Sequence, residues 1–322
     1  MTKTQMVVLD GYVLNPGDNP WDPVAALGEL KIHDRTDPGQ VLERARDARI
    51  LMTNKTVVDA ALLDGLPNLE FISVLATGYD VVDVAAARDR GIPVSNVPGY
   101  GTRAVAQFVM AQTLELCHGI SAHDVSVREG RWGQGPDWCY WLRPQVELAG
   151  LTMGIVGFGG IGSRVAELAH AFGMRVLAHA PRPKPAPWFK PFGFASLEEI
   201  FEESDVISLH CPLTPDNEGF VNRALLSRMK PDALLINTAR GALINEPDLA
   251  KALDQGLLGG AALDVLSSEP VKVDNPLMQA PRCILTPHIA WASQAARVRL
   301  MEQTAANITA FLAGTPVNVV NG

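Results

Sequence analysis

The sequence predicts a parallel α/β protein with two cores, and three observations carry that prediction. Short apolar runs alternate with helical periodicity along most of the chain. One of those runs, about halfway along, breaks into a glycine loop that opens a helix. At 322 residues the chain also has the length of about two domains, each large enough to bury a core of its own.

The strand-like runs are Met6 to Leu9, Ile50 to Met52, Phe71 to Leu75, Met153 to Val156, Arg175 to Ala178, Val206 to Leu209, Ala233 to Ile236, Gly260 to Leu263 and Cys283 to Leu285. Asn96-Val-Pro-Gly-Tyr-Gly101 interrupts the periodicity and reads as a boundary. From Thr102 the positions Val105, Phe108, Val109, Ala111, Gln112 and Leu116 predict a long helix. A second boundary falls at Thr286-Pro-His288, after which Ala290 to Leu312 reads as one or two closing helices.

The glycine loop is Thr152-Met-Gly-Ile-Val-Gly-Phe-Gly-Gly-Ile-Gly162, a GxGxxG pattern at Gly157, Gly159 and Gly162. In a strand-to-helix turn the first glycine allows the tight turn, the second lets backbone approach a pyrophosphate, and the third lets helix and strand pack closely. The helix start, with Gly160 and Ile161, offers its open N–H groups to the anion. Among 28 glycines the pattern alone is weak. The strand before it, and Val165, Leu168, Ala169 and Phe172 at helical spacing after it, make it a dinucleotide site.

A net charge of −8 and the absence of a basic run exclude nucleic acid or an anionic membrane as principal partner. Cys117, Cys139, Cys211 and Cys283 are scattered without a CxxC pair or a zinc-spaced histidine, so reduced thiols and no metal are expected. No signal peptide or membrane-length apolar run is evident, and cytoplasm is the expected location. P-loop, zincin and serine-hydrolase motifs are lacking.

A site for NAD usually has an acid about 20 residues after the glycines, on the ribose 2′-OH. Between Glu167 and Glu198 this chain has none. The strand ends at Ala180, and Arg182 and Lys184 follow in a proline-rich stretch, where they can neutralise a 2′-phosphate. NADP(H) is therefore the expected cofactor, with NAD(H) as the alternative.

Three later strands end in polar segments, Leu235 to Gly241, Ala262 to Pro270 and Leu285 to Ser293, at the edge where such sheets expose their ligand crevice. Arg240, Glu269 and His288 stand out there. Spacing does not make them a site, since an arginine after a strand is commonly a surface ion pair and a histidine a satisfied loop residue.

Those segments resemble the signatures of the D-isomer-specific 2-hydroxyacid dehydrogenase family. The likeness runs from about Val74 to Trp291, through Leu75-Ala-Thr-Gly-Tyr-Asp80, Val94 to Tyr100, the glycine loop, His210-Cys-Pro-Leu-Thr-Pro215, Asn237-Thr-Ala-Arg-Gly241, Leu263-Asp-Val265, Glu269-Pro270 and Pro287-His288. It implies two doubly wound, Rossmann-like and flavodoxin-like domains with the active site in a cleft between them. Residues 1–97 with 287–322 would form the substrate domain, and 98–286 the dinucleotide-binding domain. It places the family's catalytic arginine, glutamate and histidine on Arg240, Glu269 and His288. Thr77 and Gly78 match its substrate-carboxylate loop, and Asp264 the acid at the nicotinamide carboxamide. Thr102, His210, Cys211 and Thr238 would line the cofactor cleft, with Cys211 a packing residue rather than a nucleophile.

The implied reaction is reduction of a 2-oxo acid. An arginine can hold the carboxylate bidentately and polarise the ketone, while an imidazolium oriented by a carboxylate delivers the proton. Asp137-Trp-Cys-Tyr-Trp141 and His288-Ile-Ala-Trp291 are most similar to the glycerate dehydrogenase and hydroxypyruvate or glyoxylate reductase branch. Trp291 is a candidate substrate contact, while Trp138 and Trp141 read as core or dimer-contact aromatics as readily as substrate contacts. A homodimer is expected by the same resemblance. The alternatives are bulkier D-2-hydroxy acids or 3-phosphoglycerate as substrate, or a cofactor-sensing corepressor-like protein without turnover.

Overall fold

The computed structural model describes residues 3–322. It divides into two compact units, one running to Gly101 and joined by Trp291–Gly322, the other Thr102–Ala290. These divisions fall four residues beyond 97 and 286. Both units are parallel sheets with alternating helices. No helix among the described residues is long and apolar enough to cross a membrane.

The first unit has five strands, β1 (Gln5–Val8), β2 (Glu29–Ile32), β3 (Ile50–Thr53), β4 (Phe71–Val74) and β5 (Val94–Ser95), in the order β2-β1-β3-β4-β5. The central strands β3 and β4 are buried along their whole length, as a sheet covered on both faces requires. The single helix Gln294–Leu312 starts at Ser293, whose hydroxyl accepts from Ala296 N at 3.3 Å. It is tied to this unit by Phe311, stacked on Phe71 with ring centroids 4.5 Å apart, and by the Arg297–Asp18 ion pair.

In the second unit β6 (Thr152–Val156), β7 (Arg175–His179), β8 (Phe192–Phe194), β9 (Val206–Leu209), β10 (Leu234–Asn237), β11 (Gly260–Leu263) and β12 (Cys283–Leu285) form one sheet. Its order is β12-β11-β10-β9-β6-β7-β8, all parallel. The chain builds outward from β6 on one side, then returns to build from β9 on the other. The β6/β9 junction is thus the switch point at which such sheets open a ligand crevice. The glycine-loop helix, Gly160–Ala171, buries Gly162, Val165, Ala166 and Ala169, a stripe at i, i+3, i+4 and i+7. Phe172, expected on that stripe, instead ends the helix and is 42% exposed. The long helix Thr102–His118 packs against the glycine-loop helix and against β10 and β11.

Candidate functional site

Each glycine of the loop does a distinct thing. Gly157 has φ +100°, and a Cβ there would stand 2.5 Å from Cys211 N and 2.6 Å from the His210 carbonyl carbon, so the segment after β9 lies directly on the loop. A Cβ on Gly162 would stand 2.2 Å from Gly157 O, so helix and strand pack too closely for any side chain. Gly159 faces open space. Gly160 and Ile161 begin the helix, and Thr102 Oγ1 stands 3.8 Å from where a Gly160 Cβ would be.

The rest of the expected cofactor set lies at the same ends of neighbouring strands. Ala180 follows β7 directly, with Arg182 exposed in the loop beyond. His210 Nε2 lies 2.8 Å from Ser208 Oγ, and burial pushes its imidazole down to about 3, so the ring is neutral. Cys211 packs at the margin of an apolar cluster, and burial raises its thiol, which fits a packing residue. Thr238 Oγ1 is buried with no hydrogen-bond partner among the described residues. The open face at Gly159 and this unpartnered hydroxyl suit a bound dinucleotide.

Arg240 leaves β10 through a turn made by buried Asn237. Asn237 Oδ1 accepts from Ala239 N, and Nδ2 donates to Arg240 O, both at 2.9 Å. Arg240 itself donates to Ala239 O at 2.8 Å. Gly241 then presses on the next loop, since a Cβ there would fall 1.9 Å from the Leu266 carbonyl carbon. The Arg240 turn and the Glu269 loop are in this way in backbone contact.

Glu269 and His288 are brought together from β11 and β12, with His288 Nδ1 2.6 Å from Glu269 Oε2. Leu266 N donates to Glu269 Oε1 at 3.3 Å. Both side chains stay partly open, 29% and 35% exposed for His288 and Glu269. Sequence reasoning missed what holds their loops. Glu246, buried at the start of helix Glu246–Asp254, accepts from Ser267 N at 2.6 Å, Ser267 Oγ at 2.9 Å and Asn275 Nδ2 at 2.7 Å. The carboxylate of Asp264, expected at the carboxamide end of the cofactor, is bonded to the His288 loop, and the residue is 1% exposed. It accepts from Thr286 Oγ1 at 2.6 Å, Ile289 N at 2.9 Å and Ala290 N at 2.8 Å. Burial pushes its carboxyl up, and those hydrogen bonds with nearby His288 hold it back.

Thr77, Gly78 and Trp291 belong to the first unit. Thr77 Oγ1 donates to Val97 O at 2.8 Å, and Asn96 Nδ2 to Thr77 O at 2.7 Å, which fixes the loop carrying Gly78. Trp291 meets Tyr100 edge-on with centroids 6.1 Å apart. Trp138 and Trp141, in the second unit, are 95% and 64% exposed, so neither is a core residue. Among the described residues no group of three His, Cys, Asp or Glu is placed to hold a metal.

Comparison with known proteins shows the family. The family profile described as "D-isomer specific 2-hydroxyacid dehydrogenase, NAD binding domain" matches residues 110–290. A hydroxypyruvate reductase of Blautia hydrogenotrophica is 48% identical over 320 residues, 98% of this chain and 99% of that protein. An NADPH-dependent glyoxylate/hydroxypyruvate reductase of Sinorhizobium meliloti, solved with NADP and malonate, is 28% identical with a TM-score of 0.83, covering 99% and 97% of the two chains. A D-lactate dehydrogenase of Aquifex aeolicus, solved with NAD and lactic acid, is 29% identical with a TM-score of 0.84, covering 99% of each.

The chain belongs to the D-isomer-specific 2-hydroxyacid dehydrogenase family. It is an oxidoreductase with an NAD-binding domain, and it acts on a small-molecule 2-oxo or 2-hydroxy acid.

Proposed function

We propose that the protein reduces glyoxylate or hydroxypyruvate to the 2-hydroxy acid with NADPH, using Arg240, Glu269 and His288. The observation that carries this reading is the His288–Glu269 pair at 2.6 Å, placed on the glycine-loop unit in a loop abutting the Arg240 turn. The named relatives support the substrate class.

Gly157, Gly159, Gly160, Ile161 and Gly162, with Thr102, His210, Cys211 and Thr238, would hold a dinucleotide, which would supply the hydride when bound. Arg240 holds the substrate carboxylate and draws electron density towards the ketone oxygen. By family resemblance, Thr77 and Gly78 in the loop after β4, and Trp291, are the substrate-contact candidates of the first unit. Glu269 occupies His288 Nδ1, which leaves Nε2 as the proton donor. The imidazolium gives that proton to the ketone oxygen as C2 is reduced, and becomes neutral. The carboxylate at Nδ1 fixes the orientation of the ring for transfer.

NADPH preference rests on Ala180 at the end of β7 and on the exposed Arg182 beyond it, with no acid between Glu167 and Glu198. The solved relatives include one with NADP and one with NAD, so each cofactor fits this architecture. We also assign a homodimer, on apolar exposure over Ile120 at 63%, Val125 at 54%, Trp132 at 53% and Trp138 at 95%. Light scattering that returned a monomer would remove that assignment.

The decisive experiment is an absorbance assay of NADPH and NADH oxidation with glyoxylate, hydroxypyruvate, pyruvate and bulkier 2-oxo acids. NADH matching NADPH in kcat/KM would overturn the cofactor choice. Arg240→Ala is expected to lower kcat/KM by roughly 100-fold or more while dinucleotide affinity stays near wild type. Near-normal turnover in that variant would remove the site.

A further inference from the structure

We propose that Gln112 and Thr286 are positioning residues for His288, acting through Asp264 as one buried chain of hydrogen bonds from the long helix to the loop that carries the imidazole. The inference rests on the reading of His288 as proton donor and goes beyond it.

The polarity of the chain follows from chemistry. Asp264 Oδ1 already accepts from Ile289 N, so it is the acceptor for the Thr286 hydroxyl 2.6 Å away, which spends its one proton there. Its oxygen is then an acceptor, and Gln112 must present its NH₂ group, which lies 3.3 Å away. The far end is pinned on both sides of the imidazole. Asp264 takes Ile289 N on Oδ1 and Ala290 N on Oδ2, and its main-chain oxygen takes His288 N at 2.8 Å.

Two features separate this from ordinary packing. Gln112 is 4% exposed, among Val109, Met110 and Leu116 on a helix face that an aliphatic residue would fill at lower cost. Its Oε1 is buried without a partner among the described residues, so the amide's one bond in this face is the link to Thr286. His288, for its part, has φ +55°, in the left-handed region that costs a non-glycine residue about 1 kcal/mol or more. A residue there stays only where its surroundings hold it, and the Asp264 bonds to His288, Ile289 and Ala290 hold the backbone on both sides of it.

The test uses Thr286→Val, which keeps shape and loses the hydroxyl, Thr286→Ser, which keeps the hydroxyl, and Gln112→Met. Steady-state kcat and KM are measured with glyoxylate and NADPH, and dinucleotide Kd by fluorescence. Misplacement of a catalytic group without loss of binding lowers turnover selectively, so Thr286→Val should lose about 10- to 100-fold in kcat with Kd and KM within about 3-fold of wild type. Thr286→Ser should recover most of that loss, and Gln112→Met, one bond further out, should lose roughly 3- to 10-fold. Should Thr286→Val fail to fold, Gln112→Met and Thr286→Ser give the same comparison.

A kcat within about 2-fold of wild type in the folded Val or Met variant would overturn the proposal. So would a loss that tracks dinucleotide affinity, or one that Ser does not repair. His288→Asn serves as the control. If it is inactive while Thr286→Val is unimpaired, only the positioning proposal fails; if it is active, the proton-donor reading fails and takes the proposal with it.

Discussion

The glycine loop Gly157–Gly162 and the two loops bearing Glu269 and His288 stand at the same end of one sheet, yet opposite means build them. The glycine loop is shaped by missing side chains, with backbone pressed on backbone at Gly157 and Gly162. The other loops are shaped by buried carboxylates, Glu246 under the Glu269 loop and Asp264 under the His288 loop. Binding a pyrophosphate needs N–H groups that any residue supplies, provided the chain can come close. Proton transfer needs one particular atom held to within a fraction of an ångström, and that takes acceptors that grip several N–H groups at once.

The difference can be broken from either side. The larger effect is expected on the carboxylate side. Glu246→Ala strips three hydrogen bonds from the Ser267–Asn275 loop and should cost about 3 kcal/mol of stability with a clear fall in kcat. A denaturation midpoint within error of wild type would show that loop to be held by other means. Gly162→Ala comes next, because its methyl would lie 2.2 Å from Gly157 O. Overpacking of this kind costs about 1–3 kcal/mol, read here as dinucleotide affinity weakened about 10- to 100-fold while proton transfer in the saturated enzyme is spared. Equal losses in Kd and kcat would show that the two regions are one unit.

The effect that is smallest at neutral pH lies beside the glycine loop, at His210. The folded imidazole is held down to about 3, whereas an unfolded one takes its proton near pH 6.5. Between those values the unfolded chain binds the extra proton. Stability is therefore complete above about pH 6.5 and falls as pH drops towards 3, by up to about 1.4 kcal/mol per pH unit. Thermal melts from pH 8 to 4 should show a shallower acid decline for His210→Asn than for wild type, and parallel declines would count against the neutral ring.

Much of the fold was legible in the sequence because its central strands are buried on both faces and so read as largely apolar runs, as Leu234 to Ile236 of β10 does. The strands missed were β2, β5 and β8. Residues Glu29–Ile32 lie at a sheet edge, half to fully open, and carry no unbroken apolar run. Val94–Ser95 is two residues long, and Phe192–Phe194 follows the proline-rich stretch at the opposite edge of its sheet. In the candidate site, Arg240, Glu269 and His288 were visible as chemical residue types at strand ends. Gln112, Glu246 and Thr286 were not, because nothing marks a glutamine on a helix face as the partner of a threonine 174 positions away. Such pairings exist only once the sheet has formed.

Three successive amides, of His288, Ile289 and Ala290, all end on Asp264. A short loop of this kind, without regular structure, would ordinarily trade its amide protons with solvent almost as fast as a free peptide. Held as it is, this one should retain deuterium-exchange protection close to that of the strand before it. The residue proposed to deliver a proton from its ring would thus sit in one of the stretches whose backbone protons are slowest to leave.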